Sequence, residues 1–235
     1  MKITIHQPDF MPWFGFFRKI SKADTWIVLD HVENNPRDAA FWGRRVKILV
    51  NGNPTWLSIP LCKPSSKGTV GMPIREMRIS HSDPKTLIKL SRTLHISYAA
   101  APFYEQFKYL YECYCSETTD SLIVRNMNFI TRVMGEVGVE TKVLFSSQMN
   151  PNGTSNALLV DLLTKAGADT YLCGTGADSY QINDYFQKQQ IRVERNEFEH
   201  PKYTQLRTKE FVPGLSILDM LFMCGREQTR NYLLA

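Results

Sequence analysis

A chain of 235 residues, 43% of them apolar, can bury a substantial core, and a single α/β domain over residues 1–235 accommodates that length. The formal charge of +5 favours anionic ligands, yet it is spread along the chain: the densest groups, Arg44-Arg45-Val46-Lys47 and residues 202–209, do not form a basic arm. Apolar stretches such as residues 217–223 are too short to cross a bilayer, and Met1-Lys2-Ile3-Thr4-Ile5-His6 lacks the long apolar centre of a secretory leader, so a cytoplasmic protein without membrane insertion is expected.

Residues 3–5 form a β-branched run that gives way at once to His6-Gln7-Pro8, where proline ends regular pairing; this reads as a strand feeding a loop. Helical spacing of apolar residues follows over 14–23, and then a continuous apolar run over 25–29, of the buried-strand type, stops at Asp30. Polar residues 32–41 read as a loop. Residues 46–50 and 55–59 read as a β-hairpin turning through Asn51-Gly52-Asn53-Pro54, and the Pro, Ser, Lys and Gly content of 64–71 marks a surface loop. Helices are expected over 84–95, 104–115 and 120–137, the last closed by Gly138.

From there the chain alternates: strand 142–145, helix 155–165 ended by Gly167, strand 170–173, helix 180–188 and strand 191–194. Such alternation predicts an α/β fold, a largely parallel sheet flanked by helices in a Rossmann-like three-layer arrangement, with the hairpin and a helical middle segment inserted. The five cysteines are scattered, with no Cys-x-x-Cys pair and no zinc-type Cys/His spacing. They read as reduced thiols, and no metal or cofactor is implied.

In open α/β sheets, ligands sit beyond the carboxyl ends of the strands, so the residues at those exits are the candidates for function. Here they are His6-Gln7, Asp30-His31, Ser146-Ser147 and Gly174-Thr175-Gly176. Together they would supply an imidazole base, a carboxylate to orient it or hold an amine, hydroxyls, and a glycine-lined turn where an anion can approach a helix N-terminus. The Gly174-x-Gly176 pair lacks the third glycine of a dinucleotide fingerprint and the lysine of a P-loop, so a plain turn explains it equally well. Arg37, Arg44, Arg45 and Lys47 follow the second strand and are candidate phosphate ligands, since guanidinium matches phosphate geometry bidentately; a solvated hairpin face is the rival reading. No His-Glu-x-x-His or Gly-x-Ser-x-Gly motif points to a hydrolase, and clustered aromatics such as Trp13, Phe14, Phe16 and Phe17 fit a core at helical spacing.

His6-Gln7-Pro8 followed by Pro12-Trp13-Phe14-Gly15-Phe16-Phe17 and Lys19-Ile20 resembles the opening signature of the WbqC-like proteins. The similarity continues through Asp24, Asp30, Arg44, Trp56-Leu57, Ile59-Pro60, Ala101-Pro102-Phe103, Ser146-Ser147, Gly153-Thr154-Ser155, Tyr171-Leu172, Gly174, Gly176, Tyr203, Gln205 and residues 213–219, and so covers nearly the whole chain. The chain departs from the family pattern at Gly43-Arg44-Arg45, where Asn-Arg-Asn is expected, and at Asp9-Phe10-Met11, where an Asn-Tyr-Leu type is usual.

The resemblance implies a transferase that forms a carbon–nitrogen bond between a small amino acid such as glycine, or an acyl group, and a sugar acceptor in surface-polysaccharide or nucleotide-sugar biosynthesis. An alternative is transfer of an amino acid to an activated 5-substituted thymidine during phage DNA hypermodification; a second is a non-catalytic sugar or nucleotide binding module. On the first reading His6 is the base, Asp30 its partner or an amine anchor, and Arg44 the phosphate ligand. Candidate substrate contacts are Gln7, Trp13, Lys19, Arg44, Arg45, Ser146, Ser147, Thr154, Gly174, Gly176, Tyr203 and Gln205, toward an anionic or phosphorylated acceptor, DNA being one such polymer.

Overall fold

The structure, a computed structural model, describes residues 1–38, 40–63, 71–82, 85–174 and 183–235, with the backbone alone at 183 and 184. β1 (Lys2–His6) is followed by α1 (Phe14–Ser21), β2 (Thr25–Val28) and the two-residue β3 (Glu33–Asn34). A hairpin of β4 (Arg45–Val50) and β5 (Asn53–Ser58) leads to the short β6 (Met72–Pro73), which pairs antiparallel with β3. The helical middle segment is α2 (Thr86–Tyr98), α3 (Tyr104–Phe107), α4 (Tyr109–Ser116) and α5 (Leu122–Val137). β7 (Lys142–Phe145), α6 (Ser155–Lys165), β8 (Thr170–Cys173), α7 (Asn183–Gln187), β9 (Arg192–Arg195) and α8 (Ile217–Leu234) complete the chain.

The five long-range strands form one parallel sheet in the order β7-β2-β1-β8-β9, flanked by helices. Strand alternation sends side chains to opposite faces. Trp26 and Val28 of β2 join the larger core with Phe14, Phe17, Phe129 and Phe222, whereas Ile27, with Ile3 and Ile5 of β1, faces Leu158, Leu162 and Phe186. This is the three-layer α/β arrangement that the alternating pattern predicts.

The hairpin turns through Asn51 (φ 51°) and Gly52 (φ 78°), the two positive φ values of a type I′ turn. Gly138 (φ 69°) ends α5, its N–H bonded to the Met134 carbonyl. The helix expected over 104–115 is instead divided at Lys108, and the expected loop over 32–41 contains β3. Residues 64–70, in the expected surface loop, and the start of the helices expected at 84 and 180 lie outside the described residues.

α8 is the element that sequence patterning misses. Its apolar run is broken inside by Gly225, whose backbone leaves the helical region (φ 75°, ψ −178°). A Cβ there would stand 3.0 Å from the Phe103 ring, so conformation and close approach both require glycine. At its other end Ser216 caps the helix by accepting the Leu218 N–H.

The loop leaving β1 is held by three distant parts of the chain. Asn126 of α5, fully buried, donates through Nδ2 to the carbonyls of Pro8 and Gly43, each at 2.8 Å, while its Oδ1 accepts the Tyr114 hydroxyl at 3.1 Å. Phe10 N–H donates to the Trp42 carbonyl. Ser216 Oγ and the Ile217 N–H donate to the carbonyls of Met11 and Pro12, both at 2.8 Å. Replacing Asn126→Ala strands two buried carbonyls and a phenol, which is expected to cost about 2–4 kcal/mol and lower the melting temperature by about 5–15 °C. The control Asn128→Ala, which removes only a half-buried bond to Glu117, is expected to shift it far less in the same thermal melts.

Candidate functional site

Chain direction across the sheet reverses beside β1: β2 and β7 lie to one side of it, β8 and β9 to the other. At such a switch point the loops leaving adjacent strands diverge and open a crevice. A cleft of about 790 Å³ lies there, within the range of ordinary small-molecule sites. Its floor is the end of β1, with Ile5, His6 and Gln7, beside Leu29 and Tyr171. Trp13, Trp42 and Lys47 line it, as do Glu33, Asn34 and Asp38, and Ser155 at the start of α6.

His6 Nδ1 lies 3.0 Å from the carbonyl of Gln7. A carbonyl can only accept, so Nδ1 carries the hydrogen and Nε2 keeps its lone pair. The Phe16 ring stands edge-on to the imidazole, with centroids 5.1 Å apart. Gln7 is itself held by Asn34, whose Nδ2 donates to Gln7 Oε1 at 3.3 Å.

The carboxylate beside His6 is Asp9, with Oδ2 3.7 Å from Nδ1, and Asp9 is 6% exposed. Behind them Lys19 of α1 is 5% exposed and donates from Nζ to the Ile5 carbonyl at 3.3 Å. Asp9 and Lys19 are thus withdrawn from water and His6 is partly so, and each is driven toward its neutral form. Burial lifts Asp9 to about 7, against the opposing pull of the Lys19 charge. Burial lowers Lys19 to about 8, with Asp9 resisting. Although 32% of the His6 side chain faces the open cleft, protein packed around the rest of the ring, and then the Lys19 charge, hold it well below the ordinary imidazole value.

Asp30 is placed differently from the sequence expectation. It is buried, and its Oδ1 accepts the Ser146 hydroxyl at 2.8 Å and the Ser147 N–H at 2.9 Å, while Oδ2 accepts the Ser147 hydroxyl at 2.6 Å. Ser146 Oγ also accepts the Asp30 N–H and lies 2.6 Å from His31 Nδ1; its one hydrogen points to Asp30, so His31 is the donor. Asp30, Ser146 and Ser147 therefore lock the exits of β2 and β7 together at the sheet edge where His6 ends β1, without lining the cleft.

Of the other expected contacts, Gln7 and Trp13 line the cleft and Lys19 supports its floor. Arg44 donates from Nε to the Ile59 carbonyl, and Arg45 lies flat over Trp56, 3.6 Å from the ring centroid; neither lines the cleft, whereas Lys47 does. Tyr203 and Gln205 turn inward to Asp219, a buried residue of α8, with Tyr203 donating at 2.7 Å. Gln205 also brackets Val212 through both its N–H and its carbonyl. Thr154 is exposed and precedes α6, and it is its neighbour Ser155 that reaches the cleft. Gly174 follows β8 at the same sheet edge, and Gly176 lies outside the described residues.

Asp9, Glu33, Asp38, Trp42 and Ser155 were not singled out as site residues from sequence, whereas Lys47, one of the expected phosphate ligands, does line the cleft. Asp9 carried a usable signal: it stands three residues after His6 in the loop leaving the switch-point strand, and it is where the chain departs from the pattern it otherwise resembles.

The arrangement defines an open-sheet α/β protein with a cleft at the topological switch point. The chain belongs to the WbqC-like protein family, whose sequence model matches residues 7–231. It is similar to the uncharacterized protein Rv1507c of Mycobacterium tuberculosis strain H37Rv, at 29% identity over 228 residues, 96% of this chain and 95% of that protein. No solved structure gives a significant match.

The raised Asp9 value has a definite sign. Below about pH 4 the carboxyl is protonated whether the chain is folded or not; between about 4 and 7 only the unfolded chain releases the proton, so ionisation favours unfolding as pH rises. Asp9→Asn lacks this penalty. Its thermal stability relative to wild type is expected to climb from pH 4 to pH 7 and stay level above, by about 2–4 °C for each kcal/mol relieved, in melts across that range.

Proposed function

We propose that the cleft is the active site of a transferase that joins the amine of a small amino acid, such as glycine, to an activated and anionic sugar acceptor. The observation that carries this reading is the floor of the cleft, where His6 and Asp9 lie together with Lys19 behind them, and burial brings Asp9 and Lys19 to about 7 and about 8. Groups displaced toward neutrality in a cleft are suited to moving protons at ordinary pH. The lining carries both signs, with Glu33 and Asp38 able to hold an ammonium and Lys47 able to hold a phosphate.

In the reaction the neutral amine attacks the acceptor carbon that bears a phosphate leaving group. The C–N bond forms as the C–O bond breaks, and the bonding pair leaves on the phosphate oxygen. The surplus ammonium proton passes to His6 Nε2, and ionised Asp9, 3.7 Å from Nδ1, stabilises the imidazolium. Asp9 thereby takes the part that sequence assigned to Asp30. Carboxylates along the cleft disfavour a long polyanion, which sets a DNA acceptor behind a small one.

The test is transfer of isotopically labelled glycine to a panel of phosphate-activated and nucleotide-linked sugars, read by mass. His6→Gln is expected to lower turnover roughly 10²–10⁴-fold while the protein stays folded. Asp9 acts in its ionised form, so kcat/KM in the wild type is expected to rise through about pH 7, and Asp9→Asn to lose that limb. Undiminished ligand binding by His6→Gln, with no transfer by the wild type, would replace this reading with a binding module.

A further inference from the structure

The chain has four tryptophans, and they are not treated alike. Trp26 is wholly buried and Trp13 is half-buried, whereas Trp42 and Trp56 are 40% and 42% exposed. These two pack edge to face, with centroids 5.4 Å apart at 67°. Leaving two large apolar rings in water forfeits burial that the same residues would gain in a core. Their neighbours are equally unusual. The Arg45 guanidinium covers one face of Trp56 at 3.6 Å, and its Nε is buried with no hydrogen-bond partner among the described residues. Lys47, directly across the hairpin from Trp56, lies 5.9 Å from that ring. Its Nζ is 3.7 Å from where a Cβ on Gly214 would stand, and Lys47, Trp42 and Gly214 all line the cleft.

We infer that this shelf is a nucleoside diphosphate subsite, in which a flat base stacks on Trp42 and the phosphates run to Lys47. The inference deepens the function proposed above by naming the class of activated acceptor, and rests on that reading for its part in catalysis. Each component answers one part of such a ligand. An exposed indole backed by a second indole offers a rigid stacking face, and stacking tolerates any base because every base has a π-face. The Lys47 ammonium is a point charge free to rotate toward phosphate. Arg45 stiffens the shelf by stacking on Trp56 and adds positive potential.

Binding of uridine and adenosine diphosphates, inorganic diphosphate, ribose 5-phosphate and a short single-stranded oligonucleotide, followed by tryptophan fluorescence and calorimetry on the intact chain, tests it. Both nucleoside diphosphates are expected to bind and quench fluorescence, and to bind more tightly than either base-free phosphate. Trp42→Ala is expected to weaken the nucleotides roughly 5- to 100-fold and leave inorganic diphosphate unchanged, while Trp42→Phe restores most of the loss. Lys47→Gln is expected to weaken nucleotides and inorganic diphosphate alike, by roughly tenfold or more. Melting curves check that each variant stays folded.

Equal affinity for inorganic diphosphate and the nucleotides overturns the inference, as does a Trp42→Ala variant with wild-type nucleotide affinity, or preference for the oligonucleotide over the mononucleotides. The two readings fail separately. Nucleotide binding of the expected pattern without glycine transfer leaves the shelf and removes the transferase; transfer without nucleotide preference does the reverse.

Discussion

The loop leaving β1 is the constraint on which the site depends. Residues 7–13 follow the central strand of the parallel sheet, where the ladder has ended and backbone groups have no strand partner. Satisfying them falls to groups remote in sequence: Asn126 from α5, the Trp42 carbonyl ahead of the hairpin, and Ser216 with Ile217 at the head of α8. Each such bond contributes only about 1 kcal/mol net, but leaving a buried carbonyl unpaired costs more than making the bond gains. The loop is therefore held by avoidance of several penalties at once. That arrangement lets Met11 keep a positive φ of 42° and carries His6, Asp9 and Trp13 to the cleft together.

Held in that loop, Asp9 is kept where burial opposes its charge, and Lys19 on the adjacent helix suffers the same opposition. Their mutual attraction offsets the cost only in part, as is usual for ion pairs drawn out of water. A fold maximising stability would place neutral residues at these positions. A displaced acid and a displaced amine retained beneath a cleft fit the proton-handling chemistry proposed for it. The Asp30 cluster shows the contrast. Its carboxylate accepts three hydrogen bonds from Ser146 and Ser147 in a closed network that ties the exits of β2 and β7 together.

Much of the fold is legible in sequence because local signals agree with it. β7, α6 and β8 occupy the residues that the alternating pattern assigns, and Asn51-Gly52 marks the hairpin turn. α8 is hidden because the exception at Gly225 is imposed by the Phe103 ring, a contact across 122 positions that no local window contains. The site divides in the same way. Strand exits locate the sheet edge and pick out His6 and Gln7, since topology alone places them at the switch point. Which carboxylate approaches the imidazole is decided by the path of the loop after β1, and that path is set by Asn126, Trp42 and Ser216. Tyr203 and Gln205, which the family resemblance offered as ligand contacts, bond to Asp219, buried on the one helix that sequence patterning misses.

The hairpin joins fold and site through the period of two in a β-strand. Val46, Ile48 and Leu57 face the core, so Arg45 and Lys47 must face the other way, with Trp56 opposite Lys47. A slip of one residue would bury the cations and expose the aliphatic residues, so the register is fixed by the core as much as by any ligand. The turn supplies the remaining constraint. A Cβ at Gly52 would come 1.9 Å from the Arg207 carbonyl, so glycine is required both for its positive φ and for the close passage of the segment that continues to Gly214 and α8. Lys47 and Ser216 are then fastened directly, the Ser216 N–H bonding the Lys47 carbonyl. The same Ser216 holds Met11 through its hydroxyl. One serine thus sets the distance between the cationic wall of the cleft and the loop that carries His6 and Asp9, which makes the spacing of the two halves of the site a property of the core.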